Sequence, residues 1–91
     1  MYVVLTYDVN EKRVQKALKV CRKYLVHVQK SVFEGNITEA KLKKLKKELS
    51  KFIKPKEDSV SIYIMKSTRD CMKECIGKVV EQEEILKACK N

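Results

Sequence analysis

Hydrophobic positions run almost unbroken through Tyr2-Val3-Val4-Leu5-Thr6-Tyr7 and stop at Asp8. A run of β-branched and aromatic residues this continuous predicts a central strand covered on both faces. Alternation puts Val3, Leu5 and Tyr7 on one face and Tyr2, Val4, Thr6 and Asp8 on the other. The period then changes. Val14, Ala17, Leu18 and Cys21 recur at helical spacing, with Lys12, Arg13, Lys16, Lys19, Arg22 and Lys23 largely outside that stripe. Asn10 is the expected N-cap, and the first helix is expected from about residue 11 to about 24.

Residues 25–36 return to strand character. Val26 and Val28 alternate with His27 and Gln29, and Lys30 interrupts the pattern before Val32-Phe33. Two short strands joined by a bend or bulge near Gln29–Ser31 are expected, with a turn at Gly35-Asn36. Thr38 is the expected cap of a second helix with the apolar stripe Leu42, Leu45, Leu49, Phe52 and Ile53; Pro55 stops it. Val60 to Met65 alternates as a strand. Beyond it the pattern weakens, and a short turn, a strand near 74–79 and a helical end are expected.

The order strand, helix, strand, strand, helix, strand predicts an α+β fold, the ferredoxin-like βαββαβ sandwich. One domain is expected over residues 1–91, with a core at 1–65 and a C-terminal extension at 66–91. Two helices cover one face of the sheet. The face carrying Tyr2, Val4 and Thr6 is too apolar to stand in water alone, so a homodimer packed through the sheet faces is expected. The extra strand of the extension is expected against the partner's sheet edge.

Composition narrows the class. The chain has 91 residues, 44% of them hydrophobic, with one Pro and two Gly, which fits a folded domain rather than a disordered one. No apolar run reaches membrane-spanning length. The first residues lack a basic n-region and a small-residue cleavage site, so they read as a strand rather than a signal peptide, and a cytoplasmic location is expected. Cys21, Cys71, Cys75 and Cys89 are then expected as reduced thiols, with a bridge involving Cys71 or Cys75 as the alternative. Without a Cys-x-x-Cys pair, and with His27 the sole histidine, zinc is not expected.

Charge adds a partner. The net charge is +9 and unevenly placed: residues 1–56 carry fifteen Lys and Arg against five Asp and Glu, and residues 57–91 carry six against seven. A basic body with a near-neutral tail points to polyanions, nucleic acid first. Among the basic residues Arg13 and Arg22 are the better phosphate candidates, because a guanidinium presents a bidentate fork. No Ser-His-Asp set, Gly-rich phosphate loop or aromatic RNA-recognition signature is present. Asp8 is the informative carboxylate. It ends the apolar strand on the face assigned to the dimer, where a two-fold axis would bring two copies together. Two carboxylates so placed repel unless a proton or cation lies between them, and oxygen ligands suit Mg²⁺ or Mn²⁺. The other reading is that Asp8 helps to cap the first helix beside Asn10, and residue chemistry alone puts that reading ahead.

Four blocks then occur in a distinctive order: Met1-Tyr2-Val3-Val4-Leu5-Thr6-Tyr7-Asp8-Val9, the basic Lys12-Arg13-Val14, Val28-Gln29-Lys30-Ser31-Val32-Phe33-Glu34-Gly35, and Asp58-Ser59-Val60-Ser61-Ile62-Tyr63. Over nearly all of residues 1–65 this resembles the small CRISPR-associated Cas-two family, and Ile76-Gly77 resembles the family's final strand. The resemblance implies a ferredoxin-like homodimer. It also implies a Mg²⁺-dependent endonuclease (Mn²⁺ possible) acting on single-stranded RNA and, in some members, duplex DNA. Its setting would be spacer acquisition for antiviral defence, beside the Cas-one integrase. The alternative is a non-catalytic adaptor that bridges that integrase and positions spacer DNA. The family's metal-binding, catalytic aspartate maps onto Asp8, and its nucleic-acid-binding residues onto Tyr7, Arg13 and Phe33, with Lys12 a second match for the early basic residue. One departure stands out. Where several members have Arg, this chain has His27, which lacks the fixed charge and fork of a guanidinium, so a phosphate contact there is weaker.

Overall fold

The computed structural model describes residues 1–65 and 71–77. Its elements are β1 (Tyr2–Asp8), α1 (Val14–Tyr24), β2 (Val26–Gln29), β3 (Val32–Asn36), α2 (Glu39–Ser50), β4 (Ser59–Met65) and β5 (Cys71–Gly77). β1, with its continuous apolar run, lies in the middle of the sheet. It pairs with β3 through Tyr2–Thr6 and with β4 along its whole length, both antiparallel. The strand order is β2-β3-β1-β4-β5. The first four strands in this order, with the two helices, make the ferredoxin-like sandwich, and β5 extends it beside β4.

The core lies between the sheet and the helices. Val3, Leu5 and Tyr7 from β1, Phe33 from β3 and Val60, Ile62 and Ile64 from β4 meet Ala17 and Cys21 of α1 and Leu42, Leu45 and Leu49 of α2. Burial pushes the Cys21 thiol up to about 12, so it behaves as a small apolar residue. Glu48 of α2 joins the helices to each other. It takes the Lys23 ammonium at 2.7 Å and a hydrogen bond from the Tyr24 hydroxyl. Thr38 caps α2 as expected, its hydroxyl accepting the Lys41 N–H at 3.2 Å.

Two expectations are corrected at the helix start and in the tail. α1 begins at Val14 rather than near residue 11. The Asn10 side-chain oxygen accepts the Lys12 N–H at 3.0 Å, and its carbonyl takes the Arg13 N–H at 2.8 Å, so residues 10–13 form a turn ahead of the helix. The asparagine competes with helix formation locally instead of starting it. In the tail, the strand begins at Cys71 rather than near 74 and pairs antiparallel with β4 through Gly77; positions 78–79 of the expected strand lie outside the described residues. The expected helical end lies outside the described residues.

The other face of the sheet carries Tyr2 and Val4 partly open and Asp8 exposed, while Thr6 and Tyr63 are buried on it. At its edge, Val26 and Val28 are 67% and 50% exposed. Among the described residues, no helix is long and apolar enough to cross a membrane.

Candidate functional site

The end of β1 gathers most of the polar groups of interest. Its last β3 pair is Thr6 with Val32, so the strand outruns β3 by two residues. Tyr7 spends its N–H on the Ser31 carbonyl at 3.1 Å, which ties the β2–β3 hairpin turn to the strand. Asp8 then pairs only with Ser59 of β4. Its carboxylate is exposed and has no hydrogen-bond or ion-pair partner among the described residues. The capping reading of Asp8 fails for a geometric reason. The N-cap position belongs to Arg13, five residues further on, with no side-chain cap bond at all. A free carboxylate is a hard oxygen ligand suited to Mg²⁺ or Mn²⁺. No group of three or more His, Cys, Asp or Glu suited to a metal occurs among the described residues.

Arg13 is corrected by its partners. Its Nε and Nη2 donate to the two oxygens of Asp58 at 2.7 and 3.0 Å, and Nη2 also lies 3.5 Å from Glu57. The fork expected to grip phosphate therefore closes on an internal carboxylate, and Arg13 is 8% exposed. Asp58 is wholly buried and takes two further N–H groups, from Asn10 at 2.8 Å and Lys54 at 2.9 Å. The Arg13 guanidinium, helped by these amides, holds its carboxyl well below the usual carboxylate range.

Tyr7 and Phe33 are corrected by their burial. Phe33 has no exposed surface and Tyr7 is 7% exposed; their rings stack in the core at 5.8 Å. Burial raises the Tyr7 phenol above its ordinary range. Neither ring is open to a base. His27, opposite Phe33 in register, lays its ring on that phenyl at 4.6 Å. Its Nε2 is 2.5 Å from the Lys30 carbonyl, which can only accept, so Nε2 carries the proton and Nδ1 faces Arg22 Nη2 at 3.5 Å as an acceptor. His27 thus holds Lys30, whose φ of 33° is left-handed for a residue with a side chain. Lys12 is exposed, and so is Lys30, which lies in the hairpin turn whose Ser31 carbonyl is tied to Tyr7.

Asp58 was missed as well. Its place in the Asp-Ser-Val-x-Ile-Tyr block was visible, but its partner lies 45 residues away. A hollow of about 260 Å³ lined by Met1, Leu42, Lys43, Lys46, Ile64 and Glu74 lies at the opposite end of β1 from Asp8 and takes no part in this site.

A family model described as CRISPR associated protein Cas2 matches residues 1–75. The chain is 53% identical over 77 residues to a Thermotoga maritima protein named CRISPR-associated endoribonuclease Cas2, covering 85% of this chain and 88% of that one. A protein of the same name from Dictyoglomus turgidum is 46% identical over 87 residues, covering 94% of this chain and all of the relative. The fold superposes on a crystal structure of Streptococcus pyogenes Cas2 with a TM-score of 0.66 and 38% identity, over 71% of this chain and 86% of that one. With a family match that spans four-fifths of its length and relatives this similar, the chain belongs to the CRISPR associated protein Cas2 family.

Proposed function

We propose that this chain is a metal-dependent endoribonuclease of CRISPR defence, working in the cytoplasm as a homodimer with Asp8 as its metal-binding carboxylate. The observation that carries the reading is the exposed, unpartnered Asp8 at the end of the central strand. The relatives' names supply the reaction class. The half-open sheet face beside Asp8, with Val26 67% exposed, supports a second copy packed there, which would bring a second Asp8 toward the first.

A Mg²⁺ or Mn²⁺ ion bound there supplies charge neutralisation at a scissile phosphate and activation of water. The chain's own groups do the rest. Asp8 donates carboxylate oxygens. Lys12 and Lys30, both exposed, hold flanking phosphates. On the helical side, exposed Lys16, Lys19 and Arg22 of α1 and Lys41, Lys43, Lys44 and Lys47 of α2 form a cationic layer for the rest of a strand, with affinity that falls as salt rises. The same layer suits the DNA handled beside a Cas-one integrase, the partner this reading includes.

The test compares wild type with Asp8→Ala on single-stranded RNA and duplex DNA, with and without Mg²⁺. The expected result is metal-dependent cleavage that the substitution lowers by roughly 100-fold or more, in the range of losing a principal catalytic group. Cleavage equal to wild type would move the chemistry away from Asp8.

A further inference from the structure

We propose that Asp58 is the positioning residue of this site: its buried carboxylate, clamped by Arg13, sets where Asp8 stands. The inference rests on the reading of Asp8 as a metal ligand. The Asp8 side chain makes no bond among the described residues, so its place is dictated by the backbone on either side of it. Both sides lead to Asp58. Across the ladder, Asp8 pairs with Ser59, the residue after Asp58. Along the chain, Asn10 sends its N–H to Asp58 Oδ1 at 2.8 Å. Arg13 closes the turn by donating to both oxygens, and Lys54 N–H adds a fourth bond from the segment before β4. Gly77, at the end of β5, presses on the same place, since a Cβ there would stand 2.4 Å from the Asp58 carbonyl oxygen.

One carboxylate thus joins three segments of chain around Asp8. Four donors meet an ionised carboxylate, which is acceptor-only and can take all of them. An amide in its place turns an N–H₂ toward at least one of those donors and loosens the turn. Metal affinity responds to such outer groups because they fix the direction of the ligand.

The experiment measures Mn²⁺ binding directly, by the loss of the free-ion resonance signal, at protein concentrations where wild type is dimeric and at a temperature well below unfolding. Asp58→Asn and Arg13→Gln are expected to stay folded and dimeric and to bind Mn²⁺ about 10-fold more weakly. Leu45→Val trims the core under α2, away from this turn. It should lower Tm and leave the Mn²⁺ Kd unchanged, which separates positioning from general loss of stability. Arg13→Lys keeps the charge but not the fork and should fall between wild type and Arg13→Gln. If Asp58→Asn does not fold, Arg13→Lys decides. Loss of Mn²⁺ binding in Asp8→Ala with wild-type affinity in the Asp58 and Arg13 variants overturns the positioning role alone. Wild-type affinity in Asp8→Ala overturns the underlying reading of the site.

Discussion

Replacing Phe33 by leucine separates a core role from a nucleic-acid contact. Phe33 is wholly buried and lies between the Tyr7 ring at 5.8 Å and the His27 ring at 4.6 Å. Leucine keeps most of the volume and the apolar character but removes both ring contacts. Each such contact is worth about 0.5–1.5 kcal/mol beyond the area it buries, so the expected loss is about 2 kcal/mol. For a domain of this size that lowers Tm by on the order of 10 °C, because 1 kcal/mol corresponds to roughly 4–8 °C. It is also a sizeable share of a total stability that is typically about 5–15 kcal/mol. Thermal unfolding followed by circular dichroism measures the shift. Binding of single-stranded RNA, read by fluorescence anisotropy well below the variant's Tm, should match wild type, since the phenyl ring offers no surface to a base. Weakened binding with an unchanged Tm would refute the assignment of Phe33 to the core and return it to the nucleic-acid interface.

Acid should act through Asp58. Its carboxyl titrates below the usual range because Arg13 and two backbone amides favour the ionised form. The stability it contributes is therefore complete above about pH 4 and is lost as pH falls through the folded value, where protonation favours the unfolded chain. The Tm gap between wild type and Asp58→Asn should shrink between pH 6 and pH 2; a constant gap would mean the carboxylate's charge does not matter. Gly77→Ala should destabilise by about 1–3 kcal/mol, because φ at Gly77 is 88° and the new Cβ would meet the Asp58 carbonyl. Urea unfolding measures it, and a midpoint unchanged from wild type would show that the end of β5 is free to move aside.

The elements of residues 1–65 were legible because their signals are local. Unbroken hydrophobicity marked β1 as central, and Leu42, Leu45 and Leu49 at helical spacing marked the buried side of α2. The polar break at Gln29–Ser31 marked the hairpin, where the structure has a register shift and a left-handed Lys30. Alternation also predicted that Asp8 lies on the face opposite Val3, Leu5 and Tyr7, and that face is where the exposed carboxylate stands. The side-chain roles were less legible, because each depends on a partner that no local period encodes. A tyrosine and a phenylalanine in family motifs were read as contacts for nucleic acid, yet the pairing of β1 with β3 turns both rings into the core. An arginine early in a basic helix was read as a phosphate grip, yet β4 brings Asp58 from 45 residues away to its guanidinium. Hydrophobic period is a property of neighbouring residues and survives in the sequence alone. Which charge meets which is decided only when the sheet closes, and at this site that closure separates an open Asp8 from a buried Arg13.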